Sequence, residues 1–200
     1  MKFIYLLVLL VLPGFQSFSF TPDQPIETEV ASITTAEAHL AKIINEYRKS
    51  RHLPSIPLSS SLCKVARYHV DDLAAHFKEG NSCNLHSWSQ DPRWSSCCYT
   101  PDHKQAACMW DKPRELTNYN GDGYEIAYFS NFEYSSDVAF ADDALKGWKS
   151  SKGHNEIIIN TGKWKTADWK AMGVAINNDY TVVWFGEITD KAGKPKICEY

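Results

Sequence analysis

The 200-residue chain lacks an excess of positive charge: 21 Lys and Arg stand against 24 Asp and Glu, a formal net charge of −3. The electrostatic footprint of a nucleic-acid binder is therefore missing. There is no C-x-x-C pair, and adjacent Cys97-Cys98 is poor geometry for two ligands on one ion, so a zinc-finger framework is excluded. No internal repeat or low-complexity tract is present, which argues against a structural matrix protein. G-x-S-x-G, G-x-x-x-x-G-K-[ST] and H-E-x-x-H are all absent. His154-Asn155-Glu156 matches H-x-E, but the P-C-x-x-C that would complete a deaminase zinc site is missing. There is no N-x-[ST] sequon, and Ile197-Cys198-Glu199-Tyr200 carries no lipid-anchor signal.

What is present describes a folded, exported chain. Apolar residues make up 44% and charged residues 22%, near the globular average, and the length suits one domain. Lys2 followed by the apolar run to Leu12 and the breakers Pro13-Gly14 reads as a signal peptide, too short for a span. Cleavage is expected near Ser19. The organisation is then a signal peptide over 1–19, an N-terminal extension over 20–33 and a single domain over 34–200. No second apolar run is long enough to cross a bilayer, so a secreted, extracellular protein without a transmembrane segment is expected, and a monomer.

Export gives Cys63, Cys83, Cys97, Cys98, Cys108 and Cys198 one first reading, as disulfides, with 15 connectivities open. Four of them fall between Cys83 and Cys108, in a stretch without sustained periodicity. This predicts a long stapled loop.

Elsewhere periodicity is clear. Thr34 and Glu37 form a capping box ahead of Leu40, Ile43, Ile44 and Tyr47, a helix that ends before Pro54. Ser59 to Ser61 can cap a second helix with Leu62, Val65, Ala66, His69, Leu73 and Phe77 on one face. His69 lies on that apolar stripe and reads as a core histidine bonded to a neighbour before it reads as a ligand. Ser135 or Ser136 caps a third helix through Val138, Ala141, Leu145 and Trp148, expected to stop at Lys152-Gly153 with glycine left-handed. Met172 to Ile176, the turn Asn177-Asn178-Asp179 and Tyr180 to Phe185 read as a hairpin, and Gly123 to Phe129 supplies a further strand. The fold class is α+β, helices packed around a central antiparallel sheet.

Trp148 and Trp184 read as core. Trp88, Trp94 and Trp110, in the stapled loop, are candidates for ligand contact or for packing on the bridges. Lys163, Lys165 and Lys170 around Trp164 and Trp169 suit a solvated face and a weak membrane contact equally.

Several motifs together resemble the CAP superfamily of cysteine-rich secretory, antigen 5 and pathogenesis-related class-1 proteins, whose shared unit is the SCP domain. Cys83-Asn84-Leu85-His86-Ser87 is similar to its C-N-L-x-H-S segment. Gly123-Tyr124-Glu125-Ile126-Ala127 resembles an altered G-E-N-[IL], with Glu125 as the carboxylate after a one-residue slip. Gly153-His154-Asn155 stands where the family has G-H-Y-[TS]-Q. Family members commonly carry a second acidic residue three positions after the tryptophan, but Ser151 stands there after Trp148, and against the family pattern the stapled segment at about 88–119 reads as an insertion.

The resemblance implies an α-β-α sandwich with a cleft where His86, Glu125 and His154 meet. It implies a secreted binding or effector module, its ligand a lipid or sterol or a peptide, ahead of an enzyme. The alternative is a metal-assisted, protease-like hydrolase. In it His86, Glu125 and His154 would hold a divalent ion such as zinc, with Ser151 close by as a further catalytic candidate.

Overall fold

The computed structural model describes residues 30–80 and 82–199. The predicted signal peptide over 1–19, and most of the extension that follows it, lie outside the described residues.

Three strands make the central sheet: β2 (Tyr124–Phe129), β3 (Ala171–Asn177) and β4 (Tyr180–Gly186), in the order β2-β4-β3 and antiparallel throughout. The hairpin is the predicted one, and its turn tightens to Asn178-Asp179, with Asn178 at φ 49°. Period-two alternation on β4 sends Val182 and Trp184 to one face and Val183 and Phe185 to the other, all of them buried. Such a strand needs a hydrophobic layer on both sides, and helices supply it.

One layer is α1 (Thr35–Ser50) with α5 (Asp137–Ser150). Leu40 and Ile44 from α1 and Phe140, Ala144 and Trp148 from α5 pack with Val174, Val183 and Phe185. The Thr34–Glu37 capping box forms in both directions, and Ser136 caps α5. Trp148 is core as expected, and its Nε1–H donates to the Ala127 carbonyl at 3.1 Å, fixing α5 on β2. The opposite layer is α2 (Ser60–His76), capped by Ser59, with Leu62, Val65, Ala66, Val70 and Leu73 against Ala175, Val182 and Trp184. Helices on both faces of an antiparallel sheet make the molecule α+β, as read from the sequence.

The structure departs from the sequence reading in four places. The helix through Trp148 ends at Ser150, two residues early. Ser151 serves as the junction to α6 (Lys152–Ile158), so Gly153 sits inside a helix rather than in a left-handed stop. The long loop contains two short helices, α3 (Ala106–Trp110) and α4 (Lys112–Leu116). A pairing absent from the reading joins β1 (Ser32–Thr34) to β5 (Lys196–Cys198) in parallel.

The fourth departure concerns cysteine. Two bridges form, Cys83 to Cys98 and Cys97 to Cys108, while Cys63 and Cys198 are free thiols. Cys63 faces inward from α2 into the core, where burial pushes its thiol up to about 12. Cys198 stands on β5 opposite Thr34. Both bridges therefore staple the stretch between Cys83 and Cys108.

Within that segment Trp88 and Trp94 are buried in the α2-side core, so they pack rather than present themselves to a ligand. Trp169 is likewise buried and donates to the Ile157 carbonyl at 2.9 Å, and Lys170 pairs with Asp168. Trp169 is therefore a core residue and not part of an exposed aromatic face.

Candidate functional site

The site lies at the β2 edge of the sheet, because edge strand, stapled loop and α6 converge there. Alternation on β2 puts Ile126 with the α1 and α5 layer and Ala127 with the α2 layer, and Glu125 shares the side of Ala127. Glu125 therefore enters the protein facing α2, and its side chain has no exposed surface. A lone buried carboxylate is costly, so partners are required. They are two histidines. His69, fully buried on α2, contacts Oε1 through Nδ1, and His86 contacts Oε2 through Nδ1 at 2.8 Å.

His86 is delivered by the loop that follows α2. Its backbone N–H donates to Asn84 Oδ1 at 3.0 Å, a local turn that aims the ring inward, and the ring packs edge-on against Tyr99. His69 Nε2 donates to the Ser87 carbonyl at 3.0 Å, so one proton must also be held between its Nδ1 and Glu125. Trp88 stacks on the His69 ring at 4.4 Å between centroids. Burial by itself would push the Glu125 carboxyl up. The charge and hydrogen bond of His69, with those of His86, outweigh burial and hold the carboxyl below the ordinary range.

His154 comes from α6, which Arg48 anchors. The buried Arg48 guanidinium donates to the Ile158 carbonyl and to Asn160 Oδ1 at 2.6 Å, tying the end of α1 to the end of α6. The His154 imidazole is pushed down to about 4, first by burial and then by His86, with Glu125 opposing. A histidine with a depressed folded value loses stability as pH falls, because the unfolded chain takes up its proton first. Unfolding midpoints in urea should therefore drop between about pH 6.5 and 4, and a His154→Gln variant should flatten that part of the curve.

His86, Glu125 and His154 all line one cavity of about 560 Å³. Its deep walls are the buried Ala106, Met109, Ile126 and Ile157, while Trp110, Tyr124 and Trp164 are half-buried beside them. Trp110, alone among the three loop tryptophans, reaches the cavity. Ser151 does not: it is the α5–α6 junction, its carbonyl accepting from Asn155 N–H at 2.8 Å, and it is not part of the lining.

The zinc expectation needs a third protein donor facing the ion. Glu125 is fully buried with one imidazole on each oxygen, and among the described residues no three His, Cys, Asp or Glu side chains gather around one point. With both Glu125 oxygens engaged, His86 and His154 are the imidazoles that line the cavity. Glu125 acts here as the support behind His86.

The sequence reading left three contributors outside the site. His69 carried a signal, a histidine on an otherwise apolar helical stripe. Tyr99 and His103, brought in by the stapled loop, carried none.

The fold and this edge cavity define a sandwich domain built around a His-Glu-His cluster. The chain belongs to the CAP, cysteine-rich secretory protein, family, whose model matches residues 42–185. Three solved structures are similar, each at 18% identity. An outer surface protein from Borrelia burgdorferi has a TM-score of 0.48, with 76% of this chain and 92% of that chain covered. A cysteine-rich secretory protein from Staphylococcus aureus also has 0.48, covering 84% of this chain and 42% of that one. An extracellular protein containing an SCP domain from Bacillus anthracis has 0.49, covering 76% and 40%. No curated protein gives a significant match. Among the described residues no helix is long and apolar enough to cross a membrane.

Proposed function

We propose that this CAP protein is an exported binding module whose edge cavity takes a small apolar or amphipathic ligand, of the lipid or sterol kind. The cavity itself carries the reading: about 560 Å³ falls within the range of small-molecule sites, and most of its wall is aromatic or aliphatic with a few convergent polar groups. Two disulfides and the leader-like first residues support export.

A hydrolase reading has one observation in its favour, the Glu125-supported imidazole of His86. It lacks an aligned nucleophile, since Ser151 lies off the cavity.

Tryptophan fluorescence during titration with a sterol, a medium-chain lipid and a tetrapeptide tests the binding reading, because Trp110 and Trp164 line the wall. Quenching by the apolar ligands is expected. Trp110→Ala should weaken their binding about tenfold, as for a well-packed aromatic anchor, with little change in Tm. Turnover of an ester or peptide panel without apolar binding would replace this reading by the hydrolase one.

A further inference from the structure

The cavity is graded from floor to mouth. Its buried lining is largely aliphatic, Met109, Ile126 and Ile157, whereas its exposed lining residues are His103, Gly153 and Lys163. The ammonium of Lys163 rests 5.0 Å from the Trp164 ring centroid. His103 is held in a left-handed backbone conformation, φ 57°, uncommon for a residue with a side chain. Its Nδ1 lies 2.9 Å from the Tyr99 hydroxyl. In the tautomer in which that hydroxyl donates, the ring hydrogen sits on Nε2.

The mouth therefore offers a cation and a ring N–H. Glu125 alone among the lining residues carries a carboxylate, and both its oxygens are engaged by histidines. Nothing negative remains to meet a ligand. A sterol would bring one neutral hydroxyl to this rim and a cationic lipid would meet Lys163 as a like charge. An anionic head answers both donors.

We propose that the cavity selects anionic amphiphiles, with an unbranched aliphatic body on the Met109, Ile126 and Ile157 floor and a carboxylate held at the mouth by Lys163 and His103. This rests on the binding reading above and narrows it to one ligand class. An ammonium at a half-open rim gives a charge-assisted hydrogen bond that a neutral head cannot match.

The test compares dodecanoate, dodecanol and dodecyltrimethylammonium below their micellar concentrations at pH 8, by calorimetry on the oxidised full chain. Dodecanoate is expected to bind about tenfold more tightly than dodecanol, and the cationic probe least. Lys163→Gln should shrink the preference to about threefold while leaving dodecanol affinity unchanged, and Lys163→Arg should restore it. Raising the salt concentration should narrow the preference further. Equal affinity for dodecanoate and dodecanol, or a Lys163→Gln loss shared by both, would overturn the anionic selection and leave apolar binding standing. Failure of all three probes would overturn both readings together, and tighter binding of a short peptide than of dodecanoate would overturn the aliphatic body.

Discussion

Glu125→Ala is expected to remove about 3–5 kcal/mol of stability, the cost of breaking a buried ionic cluster by deleting one member. The carboxylate accepts from two rings at once, and His69 has no exposed surface through which water could replace it. Guanidinium unfolding followed by tryptophan fluorescence measures this directly, since Trp88 and Trp184 pack against His69. The pH dependence has a definite sign. A carboxyl held below its ordinary value stabilises the fold above that value, and the contribution is lost as pH falls through the folded one. Wild type should therefore lose stability below about pH 4.5, an acid limb that sets in at the foot of the His154 window and is absent from Glu125→Ala. Glu125→Gln is the informative companion: it keeps the shape but adds a donor facing an imidazole N–H, so it should remain costly. A loss under 1 kcal/mol in both variants would mean that the cluster is not what holds β2 to α2.

Where each element could be read from sequence depended on how local its physics is. The capping box at Thr34 and Glu37, the Ser59 cap and the 171–186 hairpin are all written within a few residues, and all three appear. The β1–β5 pairing joins three-residue strands from the two ends of the described chain. It has no periodicity to detect, because so short a strand gains its stability from tertiary context. The α5–α6 junction was misread because a glycine is a usual stop signal, yet Gly153 lies within α6 and the break falls at Ser151. Cysteine count and compartment pointed to bridges but could not separate the buried Cys63 from the stapling four, since burial is a property of the folded core.

The same division runs through the site. His86, Glu125 and His154 were legible from their motif positions, and they line one cavity. The direction Glu125 faces was not, because it depends on which layer covers that side of β2. In the structure Glu125 is a buried carboxylate held between His69 and His86. Similarly, the loop tryptophans divided by packing: Trp88 and Trp94 complete the core that positions His69, and only Trp110 turns toward the cavity.

That His69 reaches Glu125 at all depends on how closely α2 lies on the sheet, and one glycine on β3 permits it. A Cβ built on Gly173 would stand well inside van der Waals contact with the Leu62 carbonyl carbon and oxygen. These are backbone atoms of α2 and cannot swing aside as a side-chain tip would. Gly173→Ala must therefore lift the first turn of α2 or bend β3, and β3 is hydrogen-bonded along its length to β4, which is buried from Thr181 to Gly186. Lifting α2 pulls Leu62, Val65 and Ala66 from the sheet and withdraws His69 from the carboxylate behind His86. The expected cost is about 3 kcal/mol, the upper end for overpacking, because relief by rotamer change is unavailable. Gly153→Ala is the control: nothing lies within 4 Å of its Cβ and α6 gains a better helix former, so stability should hold or rise slightly. If Gly173→Ala unfolds at the wild-type denaturant midpoint, the close seating of α2 is not what assembles the His69–Glu125–His86 cluster. If it lowers the midpoint and also changes the His86 and His69 ring signals in nuclear magnetic resonance spectra, helix seating and site geometry are one property of the fold.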